Sequence, residues 1–282
     1  MKEWPLILFT LATQLACGLA LAATVFETRA RPTDAVLMRP LAMAIFPVIA
    51  CGLLLSMAHL GRPLMAWRAL LNLGQSRLSL EVVLTALFAL LALAYSGFWW
   101  MGRTEGRLVL GAATSVAGLA AVVAGAVLYT VPTQPAWNSG WVPASFLGTA
   151  VLLGGLAPAV LISWRGNTGL LRVFLSATVA GSLLLLIAAL WMMTNLSRRT
   201  YDPYTATRLA GVLQWLTSRN SWWLGCYLAL VSVLPAAVAV RLWPQERVEI
   251  TPFAGAMLAA VVLGTAMGRA VMYWLGTRYE PF

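Results

Sequence analysis

Charge is what this sequence lacks. Of its 282 residues only 10% are Asp, Glu, Lys or Arg, while 61% are hydrophobic; a soluble domain carries about 25% charged residues. So little polar side chain cannot clothe a water-facing surface. That excludes an ordinary soluble globular protein, a disordered chain and a nucleic-acid binder, and leaves a protein whose solvent is the lipid bilayer. Lysine is scarcer still. Lys2 is the only one, and the net charge of +10 is carried by arginine. The arginines are scattered among connections and gather on no face or tail, a pattern of headgroup contact and topology rather than of a polyanion partner.

Histidine and cysteine are equally sparse. With His59 as the only histidine, a haem held between two histidines of this chain is excluded, as are His-rich zinc and copper sites. Haem with His and Met ligands stays open, but nothing in the sequence asks for it. Cys17, Cys51 and Cys226 lie far apart in apolar runs, with no C-x-x-C pair. An iron–sulfur cluster needs four thiolates or close substitutes, so none is expected within this chain, and the three cysteines read as free, small core residues. No metal site is expected.

What is abundant is long apolar sequence. Eight runs, near 5–26, 37–60, 80–101, 107–130, 143–164, 169–194, 222–243 and 252–276, reach the length of about 20 residues that crosses the hydrocarbon. They lack the alternation of barrel strands, and backbone groups in lipid must pair within their own segment, so they are helices. The expected fold is all-α: a polytopic membrane helix bundle with eight transmembrane helices, residues 1–282 forming one integral membrane domain. Ala20-Leu21-Ala22 offers the small-x-small spacing of a signal-peptide cleavage site, but the run is long for a signal peptide and Glu3 stands beside Lys2, so the first helix is expected to be retained. Tryptophans at run ends, among them Trp99, Trp100, Trp137, Trp141, Trp222 and Trp243, read as an interfacial aromatic belt.

The connections are unequal. Those after the second, fourth and sixth runs, near 61–79, 131–142 and 195–221, are longer or richer in Pro, Asn and Trp, and with eight helices they share a face with both termini. Long loops on one face suggest a docking or active face. The short-loop face has nine basic residues and the long-loop face ten, nearly a tie; because the positive-inside rule weakens for longer loops, the short-loop face is expected to be cytoplasmic.

Four polar residues in these runs invite chemistry. His59 closes the second run in Ser56-Met57-Ala58-His59-Leu60-Gly61-Arg62-Pro63, where Gly61 suits a left-handed cap and Pro63 stops the helix. The helix C-terminus favours an imidazolium, and a histidine there can take and release a proton near neutral pH; the plain alternative is a polar residue facing headgroups. Glu81 opens the third run, with Ser79 a candidate N-cap and the carboxylate in the first turn. Since one loop joins the two helix ends, His59 and Glu81 are expected at one depth on the long-loop face. Two proton acceptors at an apolar boundary suit oxidation of a quinol, which loses two protons and two electrons. The electrons need an acceptor that this chain lacks. Arg269, inside the last run, either faces the bundle interior, as a donor to a quinone oxygen or a partner for Glu81, or snorkels. Gln14 is a further buried polar group that can bind ligand or merely join helices. The connector Tyr129 to Pro143, stiffened by three prolines, either walls off a lipid-side pocket or is a plain interfacial link.

These strings resemble those of the membrane anchor subunit of anaerobic dimethyl sulfoxide reductase, the DmsC family. The resemblance begins at Glu3-Trp4-Pro5-Leu6, Phe9-Thr10 and Gln14, and continues through Ser56-Met57, His59-Leu60-Gly61, Pro63, Asn72, Gly74, Leu78-Ser79 and Glu81. It recurs at Tyr129, Pro135, Trp137, Trp141, Pro143 and Phe146, and at Gly268-Arg269 with Tyr273. It implies an anchor that binds a molybdopterin catalytic subunit and an iron–sulfur electron-transfer subunit, oxidises menaquinol, carries no haem, and sits in the bacterial cytoplasmic (inner) membrane with both termini periplasmic. By motif, His59 and Glu81 fall on the family's quinol-site histidine and glutamate, and Arg269 on a family arginine. Thr265 departs from it, standing where many members have an acidic residue, and the segment 195–221 has no match. A transporter and a purely structural anchor are the rival readings; the paired, interrupted helices of a transporter are not found.

Overall fold

The computed structural model describes residues 4–29, 35–58, 60, 63–163, 168–197, 221–243 and 251–277, with 207, 210–211, 213–214 and 217. Eight helical spans dominate: α1 (Trp4–Arg29), α2 (Ala35–Ala58), α3 (Arg77–Met101), α4 (Arg107–Leu128), α5 (Trp141–Ser163), α6 (Thr168–Leu196), α7 (Ser221–Leu228 continuing through Ala229–Val233 to Leu234–Leu242) and α8 (Thr251–Thr277). Each is long and apolar enough to cross a membrane, so the protein is a multi-pass membrane protein, and the described residues include no strand.

The helices are not equivalent. Most of α1 and α5 is buried within the bundle, whereas α2, α7 and α8 turn most of their surface outwards. Without a hydrophobic force between helices in lipid, close packing needs small residues. Gly18 on α1 and Gly154 on α5 meet backbone to backbone: a Cβ on Gly154 would stand 2.7 Å from Gly18 Cα. Between α3 and α4 the fit is periodic. Gly111, Gly118 and Gly125, seven residues apart, receive Tyr95, Phe88 and Glu81, also seven apart and in antiparallel order. The two helices are joined by a tight turn in which Gly102 (φ 68°) and Gly106 (φ 73°) both adopt the left-handed conformation that glycine reaches without steric cost.

Two helices depart from regular geometry. In α2, Pro47 removes a donor from the ladder. In the rung just before it, Ser96 of α3 inserts its hydroxyl, donating to Ala42 O at 2.9 Å while accepting from Phe46 N at 3.3 Å. In α7 the turn Ala229–Val233 is a π-turn. It sits among the inward positions Tyr227, Val231, Pro235 and Ala239, which recur every four residues. A regular helix would drift by about 40° at each such step; the wide turn takes up part of that drift.

Several expectations need correction. The connection after α2, expected as plain loop, contains a short 3₁₀ helix, Pro63–Asn72. Only Cys17 is buried; Cys51 and Cys226 are exposed rather than core residues. Trp99 and Trp141 are buried rather than part of a belt. Trp99 lies beneath the Arg107 guanidinium at 3.8 Å. That arginine pairs with Glu27 at 3.2 Å, and Tyr95 donates to the same carboxylate at 2.6 Å, so the short-loop ends of α1, α3 and α4 are tied by one buried cluster. Most of 195–221, like the caps at Gly61, lies outside the described residues.

Candidate functional site

Glu81 is set by the start of α3. The helix begins at Arg77, after an extended Ser76 (φ −130°, ψ 128°) that makes no side-chain cap bond. Ser79 is therefore not the N-cap but a buried helical residue, and Glu81 stands in the second turn, beyond the first-turn dipole stabilisation. The physical reason is Arg77. Its Nη1 donates to Thr130 O at 2.9 Å and Val127 O at 3.5 Å, fastening the first turn of α3 to the end of α4.

The Glu81 side chain points into the bundle and is 8% exposed. Its Oε1 fills the space left by Gly125, where a Cβ would stand 2.8 Å away. It has no ion-pair or hydrogen-bond partner among the described residues. It opens on a small cavity of about 10 Å³ between α1, α3, α4 and α5, shared with Phe9, Thr13, Gln14, Gly125 and Phe146.

Gln14 and Arg269 form the inner side of this region. Arg269 is 4% exposed, so it does not snorkel. Neither does it pair with Glu81. Its Nη2 donates to Gln14 Oε1 at 3.2 Å, its Nη1 to Ser145 Oγ at 3.1 Å and to Met272 Sδ at 3.6 Å, and its guanidinium lies 3.7 Å from the centre of the Phe146 ring. No carboxylate neutralises it among the described residues; neutral acceptors and an aromatic face hold it instead. Gln14 is 1% exposed, and its Nε2 has no partner among the described residues.

The connector after α4 closes this end of the bundle. Tyr129 and Tyr273 share a hydrogen bond of 2.5 Å, Trp137 Nε1 donates to Met272 O at 2.7 Å, and Asn195 Nδ2 to Pro135 O at 3.2 Å. The connector is thus packed onto α8 and α6 rather than being a plain interfacial link. On the far side of Arg269, a crevice of about 40 Å³ runs between α5, α6, α7 and α8, with Trp223 and Tyr227 among its walls.

Of the four sequence candidates, the structure gathers Glu81, Gln14 and Arg269 in the half of the bundle that carries the long connections. His59 lies outside the described residues. Sequence reasoning missed Gly125 as the residue that makes room for the carboxylate, and Tyr227 as a wall of the crevice. The seven-residue spacing of Gly111, Gly118 and Gly125 was the signal for the first.

Residues 1–275 match the family described as DMSO reductase anchor subunit (DmsC). Among curated proteins, the C subunit of the anaerobic dimethyl sulfoxide reductase of Escherichia coli (strain K12) is 26% identical over 294 residues, covering 97% of the present sequence and 94% of that protein. The anaerobic dimethyl sulfoxide reductase subunit YnfH of the same organism is 29% identical over 168 residues, 57% of each protein, so that alignment spans little more than half of its length. Among solved structures, the bd oxidase of Geobacillus thermodenitrificans shares the fold with a TM-score of 0.68 at 14% identity, over 98% of the present sequence and 84% of that one.

Proposed function

The protein belongs to the DMSO reductase anchor subunit (DmsC) family, and from that membership we propose that it is the quinol-oxidising membrane subunit of a dimethyl sulfoxide reductase-like molybdoenzyme complex. Its substrate is menaquinol, drawn from the bilayer. Each quinol releases two protons and two electrons. The protons pass to Glu81 and His59, and the electrons leave for an iron–sulfur partner subunit docked on the long-loop face, which serves a molybdopterin catalytic subunit. The membrane is the bacterial cytoplasmic membrane, with both termini periplasmic.

The observation that carries this reading is the Glu81 carboxylate, buried, without a described cation partner and facing a cavity. A structural carboxylate in a bundle is neutralised, as Glu27 is by Arg107. One left open to a cavity is available to accept a proton from a ligand hydroxyl. Gln14 Nε2, buried and without a described partner beside it, supplies a donor that orients a ring oxygen. Arg269 fixes Gln14 through Oε1.

The test is reduction of dimethyl sulfoxide in membranes with a soluble naphthoquinol as donor. Glu81→Gln and His59→Arg each lower quinol-linked turnover about a hundredfold or more, while iron and molybdenum still co-purify with the protein. Full quinol-linked turnover in both variants defeats the reading.

A further inference from the structure

We propose that the cavity beside Glu81 is the seat of one ordered water molecule, and that this water is the first carrier of the quinol proton. At about 10 Å³ the space matches a single water, which needs roughly 10–15 Å³ of cavity, and it excludes a ring. Phe9, Ala121, Val122 and Phe146 give it apolar walls, so the remaining groups must hold the water.

Arg269 can only donate, and it takes Gln14 Oε1. That bond fixes the orientation of the amide. It leaves the donor end, Nε2, buried and without a partner among the described residues. Glu81 lines the same cavity, is buried and has no described ion-pair or hydrogen-bond partner; an ionised carboxylate only accepts. One group that must donate and one that must accept are matched by a molecule that does both. Thr10 and Thr13 give their hydroxyl protons to Ile7 O and Phe9 O, so towards the cavity their oxygens serve as acceptors. Gln14, Glu81 and a threonine oxygen together make three hydrogen bonds, about the usual number for a buried water. Other small occupants fit worse. A hard cation gathers about six oxygen ligands and is repelled by the Gln14 N–H, and an anion is repelled by the carboxylate.

The chemical consequence rests on the reading of Glu81 as proton acceptor. A quinol ring stays outside so small a space, so its hydroxyl reaches the carboxylate through the water's second lone pair. The quinol O–H bond breaks, its proton joins the water, and the water passes one of its own protons to Glu81. The water is regenerated, the carboxylate becomes a carboxylic acid, and the electrons leave for the iron–sulfur partner. Gln14 is then a positioning residue that orients the ring oxygen through the water.

Infrared difference spectroscopy of the full-length protein in lipid nanodiscs reads the water itself, with a step from alkaline to acid buffer as the trigger. Wild-type protein shows the C=O stretch of the Glu81 carboxylic acid together with a water O–H stretch that shifts in oxygen-18 water; Glu81→Gln abolishes both. Ala121→Val, which places two further methyl groups at a space the size of one water, loses the isotope-sensitive band and keeps the carboxyl band. Gln14→Met, which keeps the length of the side chain without its donor, loses the isotope-sensitive band as well. Absence of that band from the wild type, or its survival in either variant, overturns the proposal. If the band is present while Glu81→Gln and His59→Arg keep full quinol-linked turnover, the quinol reading falls and the water site stands. If it is absent while those variants lose turnover, the water falls and the quinol reading stands.

Discussion

Arg269 shows how a buried cation is stabilised without a counter-charge among the described residues. Its partners are the Gln14 carbonyl oxygen, the Ser145 hydroxyl and the Phe146 ring. A hydrogen bond to a charged group contributes about 1.5–3 kcal/mol. Gln14→Leu removes that acceptor but also a buried amide nitrogen without a described partner, so the net loss is about 1–2 kcal/mol. It is expected as a lowered thermal midpoint in detergent, whereas Cys226→Ser, at an exposed position, leaves the midpoint unchanged. Gly125→Ala acts on the carboxylate instead. Its Cβ would sit 2.8 Å from Glu81 Oε1, and displacement of a reacting group by about 1 Å can cost about a hundredfold. Steady-state assays should show quinol-linked turnover falling by roughly ten- to a hundredfold with assembly intact. At this scale the sequence is partly legible. A polar or ionisable residue inside an apolar run is rare enough to stand out alone, as Glu81, Gln14 and Arg269 do. Which of them touch is not legible, because Gln14 and Arg269 are 255 positions apart and nothing local encodes their meeting.

Among the elements, glycine does the positioning that hydrophobicity does elsewhere. The α1–α5 crossing allows no side chain at Gly18 or Gly154, since backbone, not a mobile side-chain tip, occupies the space. Gly154→Leu should therefore abolish the folded bundle, read as loss of the monodisperse peak in size-exclusion chromatography. Gly118→Ala meets only the Phe88 ring edge at 3.0 Å and Cys17 Sγ at 3.3 Å. It should be tolerated with a cost of about 1–3 kcal/mol, the usual range for overpacking. The helix spans are readable in the sequence because hydrocarbon thickness imposes their length. The inward faces are not. With lipid outside, an apolar residue is as content at the surface as in the core, so hydrophobicity cannot sort Cys51, Cys226 and Trp99. The start of α3 escapes local reading for another reason: Arg77 fastens it to α4, a tertiary bond that overrides the cap preference of Ser79.

The molecule as a whole is asymmetric across the membrane. One end is closed by the short turn Gly102–Gly106 and the Glu27–Arg107–Tyr95 cluster. The other carries the connector 129–140, the 3₁₀ helix Pro63–Asn72 and the polar residues of the site. The proposed orientation puts Thr104 in the cytoplasm and Thr133 outside. In a background of Cys51→Ser and Cys226→Ser, the thiol of Thr104→Cys should react with an impermeant maleimide only in inside-out vesicles, and that of Thr133→Cys only in right-side-out cells; the reverse pattern inverts the orientation. Charge counting has little to say here, because the basic residues are nearly balanced between the faces. The π-turn of α7 has its own consequence for the whole. It helps hold the stretch bearing Trp223 and Tyr227 in phase with the stretch bearing Pro235 and Ala239. Deleting one residue there would restore regular winding, and the four-residue stripe would again slip by about 40° at each step. The surplus residue is thus a shim that lets one helix lay a straighter seam against its neighbours.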